Sequence, residues 1–257
     1  MIAFFVHILV FVFGAVVGSF LNVVAYRLPR KISLIKLGSH CPHCQIPIPW
    51  KYKIPIVSYF VLKGRCWNCW AEISWHYPLV ETLSGVVALA LFWQFGLTPA
   101  FMFYLIFAFG LILISIIDLQ EMIIPNEILI TLIILGVGIN VLFHVQSWGN
   151  ALWGMSIASV SMLAIGLLGK LMFKQDALGM GDIKLAGVAG FYLGGNMIIY
   201  AIFFSFLVAF IAIILMILLS RIQRRDTIPF GPFMSIAMLS FVLWGQAIIQ
   251  WYWGLFS

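Results

Sequence analysis

The sequence predicts an all-α polytopic membrane protein of about eight transmembrane helices, with a small water-facing module between the first two. Three observations lead there. Hydrophobic residues make up 64% of the 257 and charged residues 9%. Ordinary soluble domains hold roughly 45–50% and 25% of these, and a folded sphere of this size cannot hide so much apolar surface from water. The apolar residues also fall into runs, several of them near the roughly 20 residues that a spanning helix needs. Finally, the polar residues are gathered: 27–76 holds 8 of the 14 Lys and Arg and all four cysteines. A soluble enzyme, a disordered tail and a collagen-like rod are excluded.

The elements follow in order. Residues 2–25 form an uncharged run, too long for a signal-peptide core and without a basic start, so it reads as a retained first span. The predicted organisation is a first helix over 1–26, a cytoplasmic module over 27–76, and seven further helices over 77–257. Those helices are expected at 78–95, 100–117, 126–145, 151–173, 183–193, 197–219 and 229–253. The sixth span is only 11 residues, about 17 Å at helical rise, and needs residues from its neighbours. Gly14-x-x-x-Gly18 and Gly190-x-x-x-Gly194 are spacings that permit close helix contact. No internal repeat is evident.

Charge sets the expected orientation. With the N-terminus outside, the inside loops are 27–76, 119–125, 174–182 and 221–227, and they hold 12 of the 14 Lys and Arg. Lys170 and Lys184 lie within about a turn of an inside end. That is the positive-inside pattern, and it accounts for the net charge of +6 without nucleic acid. Trp93, Trp148, Trp153, Trp251 and Trp253 suit an outer aromatic belt.

Two sets of residues carry chemistry. Cys41-x-x-Cys44 and Cys66-x-x-Cys69, with 21 residues between the pairs, read as a Cys₄ structural zinc site, the alternative being reduced or disulfide-paired cysteines. Each close pair offers two thiolates to one metal, and a module this small needs such help to fold. Four thiolates leave no open position for catalysis. The second set is acidic. Asp118 ends the third span, where a helix C-terminus disfavours negative charge. Asp182 follows Gly179-Met180-Gly181, where helix capping or pairing with Lys184 would explain it. Both lie at one membrane depth. If packed together they share one proton, so one acid can deprotonate water while the other protonates an amide carbonyl. Gly179 and Gly181, without side chains, would let a substrate backbone approach.

Gly179-x-Gly181-Asp182 resembles the GxGD signature of intramembrane aspartyl proteases. More of the chain resembles one branch, the type IV prepilin peptidases. The matching blocks are Gly18 to Pro29, the two cysteine pairs, Tyr77-Pro-Leu-Val-Glu81, Asp118 with Ile124-Pro125, Gly179 to Lys184, and Pro229-Phe-Gly-Pro232, in the family's order. Members often carry acids at the positions of Gln120 and Asn126. The resemblance implies Asp118 and Asp182 as the catalytic pair and the four cysteines as ligands of a zinc tied to the bifunctional form. It implies cleavage of the basic leader of a prepilin or pseudopilin, serving type IV pili or type II secretion, at the cytoplasmic face of a bacterial inner membrane. It further implies methylation of the new N-terminus with S-adenosylmethionine. For that second reaction Glu81, Asn22 and Arg27 are the candidate cofactor-binding residues. Asn22 could equally make an interhelical hydrogen bond and Arg27 anchor the topology. The alternatives are another GxGD protease, resembling signal-peptide peptidase or presenilin, and a zinc-stabilised scaffold or transporter.

Overall fold

The computed structural model describes residues 2–34, 38–41, 43–174, 178–219 and 228–254. They are almost wholly helical, and the chain divides into two compact units, Met1–Leu97 and Thr98–Ser257. The helix of 76–95 therefore groups with the first helix and not with those that follow.

The first unit contains α1 (Ile2–Arg27), the short α2 (Val57–Val61) and α3 (His76–Phe95). α1 lies along α3, and the glycines set how closely. A Cβ on Gly14 would stand 2.7 Å from the Ser84 carbonyl oxygen, and one on Gly18 2.7 Å from Ser84 Oγ. The Gly14-x-x-x-Gly18 spacing thus meets the Ser84-Gly85 step of α3. At the far end His7 packs edge-on against Phe92, ring centroids 5.4 Å apart.

The residues between α1 and α3 hold two matching hairpins. In one, the Cys41 N–H donates to Ile46 O, Gln45 N–H to Cys41 O and Ile48 N–H to Ser39 O. In the other, Cys66 donates to Ala71, Trp70 to Cys66 and Ile73 to Gly64. A single shift of 25, Cys41 to Cys66, maps one set onto the other. Gln45 and Trp70 both take positive φ, 59° and 61°, at equivalent positions. The chain does contain a repeat, carried by a backbone pattern and few identical side chains, which is why the sequence hides it.

The second unit contains α4 (Pro99–Glu121), α5 (Asn126–Phe143), α6 (Trp148–Phe173), α7 (Met180–Leu193), α8 (Gly195–Leu218) and α9 (Gly231–Gly254). α7 sits at its centre, packed against the other five. Its 14 residues rise about 21 Å, less than the roughly 30 Å of hydrocarbon. It buries every residue from Leu185 to Leu193, so it is walled by protein and need not match the bilayer. Gly190 meets Gly154 of α6 backbone to backbone, where no Cβ fits. Tyr192 donates its hydroxyl to Leu132 O at 2.7 Å and stacks on Phe107, centroids 4.4 Å apart. The other five helices of this unit, with α1 and α3, are the seven among the described residues that are long and apolar enough to cross a membrane. α8 turns Phe203, Phe210 and Leu218 outward, as a lipid-facing helix does.

Two boundaries bear on the acids. α4 runs on to Glu121, so Asp118 lies in its last turn and the expected loop 119–125 is shortened. α7 starts at Met180, so Asp182 lies in a first helical turn. The polar stretch 220–227, with 35–37 and 175–177 of the other predicted inside loops, lies outside the described residues.

Candidate active site and metal centre

Asp118 is buried in the last turn of α4, the end that repels an anion. The resolution comes from α9. The Gly231 N–H at its start donates to Asp118 Oδ2 at 2.8 Å. A carboxylate badly placed for its own helix is well placed at the N-terminus of another. A Cβ on Gly231 would stand 2.7 Å from that same oxygen, so only glycine brings the amide so near. Asp182 has a parallel arrangement. It reaches back to the helix start, where Gly179 N–H donates to its Oδ2 at 3.2 Å. Lys184 does not pair with it; its Nζ donates to Asn126 Oδ1 at 2.9 Å. Gly181 lies against Ile124, whose Cβ would be 2.9 Å from an added Cβ. That contact brings the start of α7 to the end of α4, and the charge of Asp118 reaches Asp182. Each acid has one oxygen tied to a backbone N–H and, among the described residues, an Oδ1 with no protein partner.

The four cysteines converge. Their sulfurs all lie within 4.8 Å of one another and none is in a disulfide. Cys41 and Cys69 sulfurs are 3.8 Å apart. Metal–sulfur bonds of about 2.3 Å in a tetrahedron place sulfurs about 3.8 Å apart, so the cluster fits a zinc-sized ion. The backbone N–H groups of Cys69 and Asn68 point at Cys66 and lower its thiol to about 7. At Cys69 the Ala71 N–H also lowers it, but desolvation and the neighbouring sulfurs win and push it up to about 11. Four thiols cannot all ionise at this range unless a cation joins them.

Within the first unit, beside this cluster, lies a cavity of about 410 Å³, and Asn22, Arg27 and Glu81 all line it. Its volume suits a small molecule of cofactor size. Asn22 Nδ2 donates to Tyr77 O at 3.2 Å, linking α1 to α3. Arg27 is buried and donates to the carbonyls of Ser33, Leu34 and Gly38, so it folds the module's first loop as well as facing the cavity. Glu81 Oε2 accepts from Ile56 N–H at 2.6 Å.

Residues 12–95 match the Bacterial Peptidase A24 N-terminal domain, and 105–217 match the type IV leader peptidase family. Prepilin leader peptidase/N-methyltransferases of Stutzerimonas stutzeri, Aeromonas hydrophila and Pseudomonas aeruginosa are 31%, 32% and 32% identical to this chain. The alignments cover 94%, 95% and 93% of it and 91%, 92% and 90% of those relatives. The chain belongs to the type IV leader peptidase family. No solved structure matches it.

Against this leader-peptidase background, Gly231 and Ile124 stood in the matching blocks, but the sequence assigned neither of them a role. The signal for Gly231 was present. Pro229-Phe-Gly-Pro232 before a long apolar run marks a helix start, and a helix start offers free N–H groups. What the sequence did not carry is which acid those groups would meet, 113 positions away.

Proposed function

We propose that this protein is an aspartic endopeptidase that removes the leader of type IV prepilins or pseudopilins and N-methylates the residue it exposes. The single observation that supports the reading best is the pair of aspartates, each fixed by a glycine N–H at a helix start, with Asp118 within electrostatic reach of Asp182. Two carboxylates whose charges act on each other would share one proton. The ionised one takes a proton from water, whose oxygen attacks the scissile carbonyl carbon. The protonated one gives its proton to the carbonyl oxygen. Collapse of the tetrahedral intermediate expels the new amine, which takes up the proton drawn from the water. The two tethered Oδ2 atoms hold the acids still, and exposed Gly179 leaves the approach to Asp182 open.

The charge pattern supports an N-terminus outside and an active site at the cytoplasmic face of a bacterial inner membrane. There the scissile bond of a membrane-anchored prepilin would lie level with both acids. Zinc on Cys41, Cys44, Cys66 and Cys69 would be structural. S-adenosylmethionine would supply an electrophilic methyl group in the adjoining cavity. Asn22, Arg27 and Glu81 line the space for it, and the attacking N-terminus must arrive as a neutral amine.

The test is direct. Purified protein in detergent is incubated with a prepilin, first alone and then with S-adenosylmethionine. Loss of the leader's mass, then gain of one methyl group, is the expected result. An intact prepilin under conditions where the protein is folded and metal-loaded would overturn the peptidase reading. A trimmed but never methylated product would overturn the second activity.

A further inference from the structure

Ile56 has φ 63° and ψ −56°, and the Val57 N–H turns back to Pro55 O at 2.6 Å. This is a γ-turn of the rare positive-φ kind, taken by a β-branched residue whose Cβ resists it. Such a conformation persists only where its surroundings impose it. The imposing group is visible. Glu81, in the second turn of α3, accepts from the Ile56 N–H through Oε2 at 2.6 Å, and it lines the cavity together with Ser19 of α1. The strained turn leads directly into α2, and Ser58, Tyr59 and Leu62 from that segment line the cavity with Ile56.

We infer that Glu81 is a positioning residue, a latch between α3 and the Ile56 turn that holds α2 as a wall of the cavity. Its carboxylate acts through the turn and not on the transferred methyl group. This rests on the reading that the cavity takes the methyl donor. Without the latch the turn relaxes toward negative φ, α2 moves, and only a fraction of molecules keep the binding shape. Apparent affinity falls by that fraction.

The experiment compares four full-length variants: Glu81→Ala, Glu81→Gln, Ile56→Gly, and Glu81→Ala with Ile56→Gly. The readouts are methylation kinetics on pre-cleaved pilin and amide exchange over 56–62. Glu81→Ala should raise KM for S-adenosylmethionine roughly tenfold with a smaller change in kcat, and should speed exchange at the Ile56 amide. Glu81→Gln keeps an oxygen for that N–H and should hold KM within about threefold of the starting protein. Glycine adopts positive φ freely, so the double variant should return KM close to that of Ile56→Gly alone. A Gln variant as damaged as Ala, or a double variant with no rescue, would assign Glu81 to the chemistry and overturn the latch. Unchanged Ile56 exchange in Glu81→Ala would overturn it as well. Because exchange needs no methyl donor, a protein that never methylates sinks the cavity's assignment while the latch is still decided.

Discussion

Among the described residues from Leu28 to Trp75, only Cys41 and Cys66 are buried, whereas α7 buries nine in succession, Leu185 to Leu193. The two regions hold their candidate site residues still by opposite means. The module has almost no core, so backbone hydrogen bonds shape its hairpins and the sulfur cluster joins them. α7 is held on all sides by helices, through Gly190 on Gly154 and Tyr192 on Phe107. Damage should therefore spread differently. A metal site is all-or-none, with structural zinc worth about 10–16 kcal/mol in isolated zinc-finger peptides. A bundle loses stability in small increments as single contacts go.

The sharpest break in the comparison comes from changing chemistry and leaving both frameworks alone. Asp182→Asn keeps the size and capping ability of the side chain and removes its titratable proton. Leader cleavage should drop by about three orders of magnitude or more, while zinc content and extraction from membranes stay normal. A variant that still trims prepilin near the starting rate would return Asp182 to a capping role.

Removing the metal should separate the regions next. Metal analysis of protein kept reduced should return about one zinc per chain. Cys66→Ser, or a strong chelator, should open the 38–75 hairpins to protease and abolish methylation, while α4 to α9 keep their helicity. Hairpins that stay protected without metal would show that the module has another source of order.

Gly231→Ala tests whether the bundle positions an acid as tightly as the cysteine cluster would hold a metal. The new methyl group would stand 2.7 Å from Asp118 Oδ2, closer than any side chain tolerates. Cleavage should fall about 10- to 100-fold with the helices still assembled, because misplacement by about an ångström is enough. An unaffected rate would show that Asp118 tolerates movement. The smallest expected effect is Tyr192→Phe. It removes one buried hydrogen bond to Leu132 O and should cost about 1 kcal/mol of bundle stability, read by thermal unfolding, with cleavage retained.

Much of this was legible in the chain because the signals were local. The C-x-x-C pairs carry their own geometry. Apolar runs declare a lipid solvent, and Gly14-x-x-x-Gly18 declares a close helix contact. Less legible was the α7 region. By length it read as a span in need of extra residues, yet a helix enclosed by protein needs no bilayer-matching length. The hairpin repeat was also hidden, since the bridge of His40 with Pro47 recurs as that of Arg65 with Glu72, pairs with little side-chain chemistry in common.

The sequence by itself determined the solvent, the helical class, the family resemblance and the residue types able to do chemistry, since composition and short spacings act within a few residues. Only the tertiary structure decided partners. It gave Asp118 the Gly231 amide, took Lys184 from Asp182 and gave it to Asn126, and tied Glu81 to the turn at Ile56. The physical reason is that a buried polar group must find a complement, and which complement lies within reach depends on how distant segments pack.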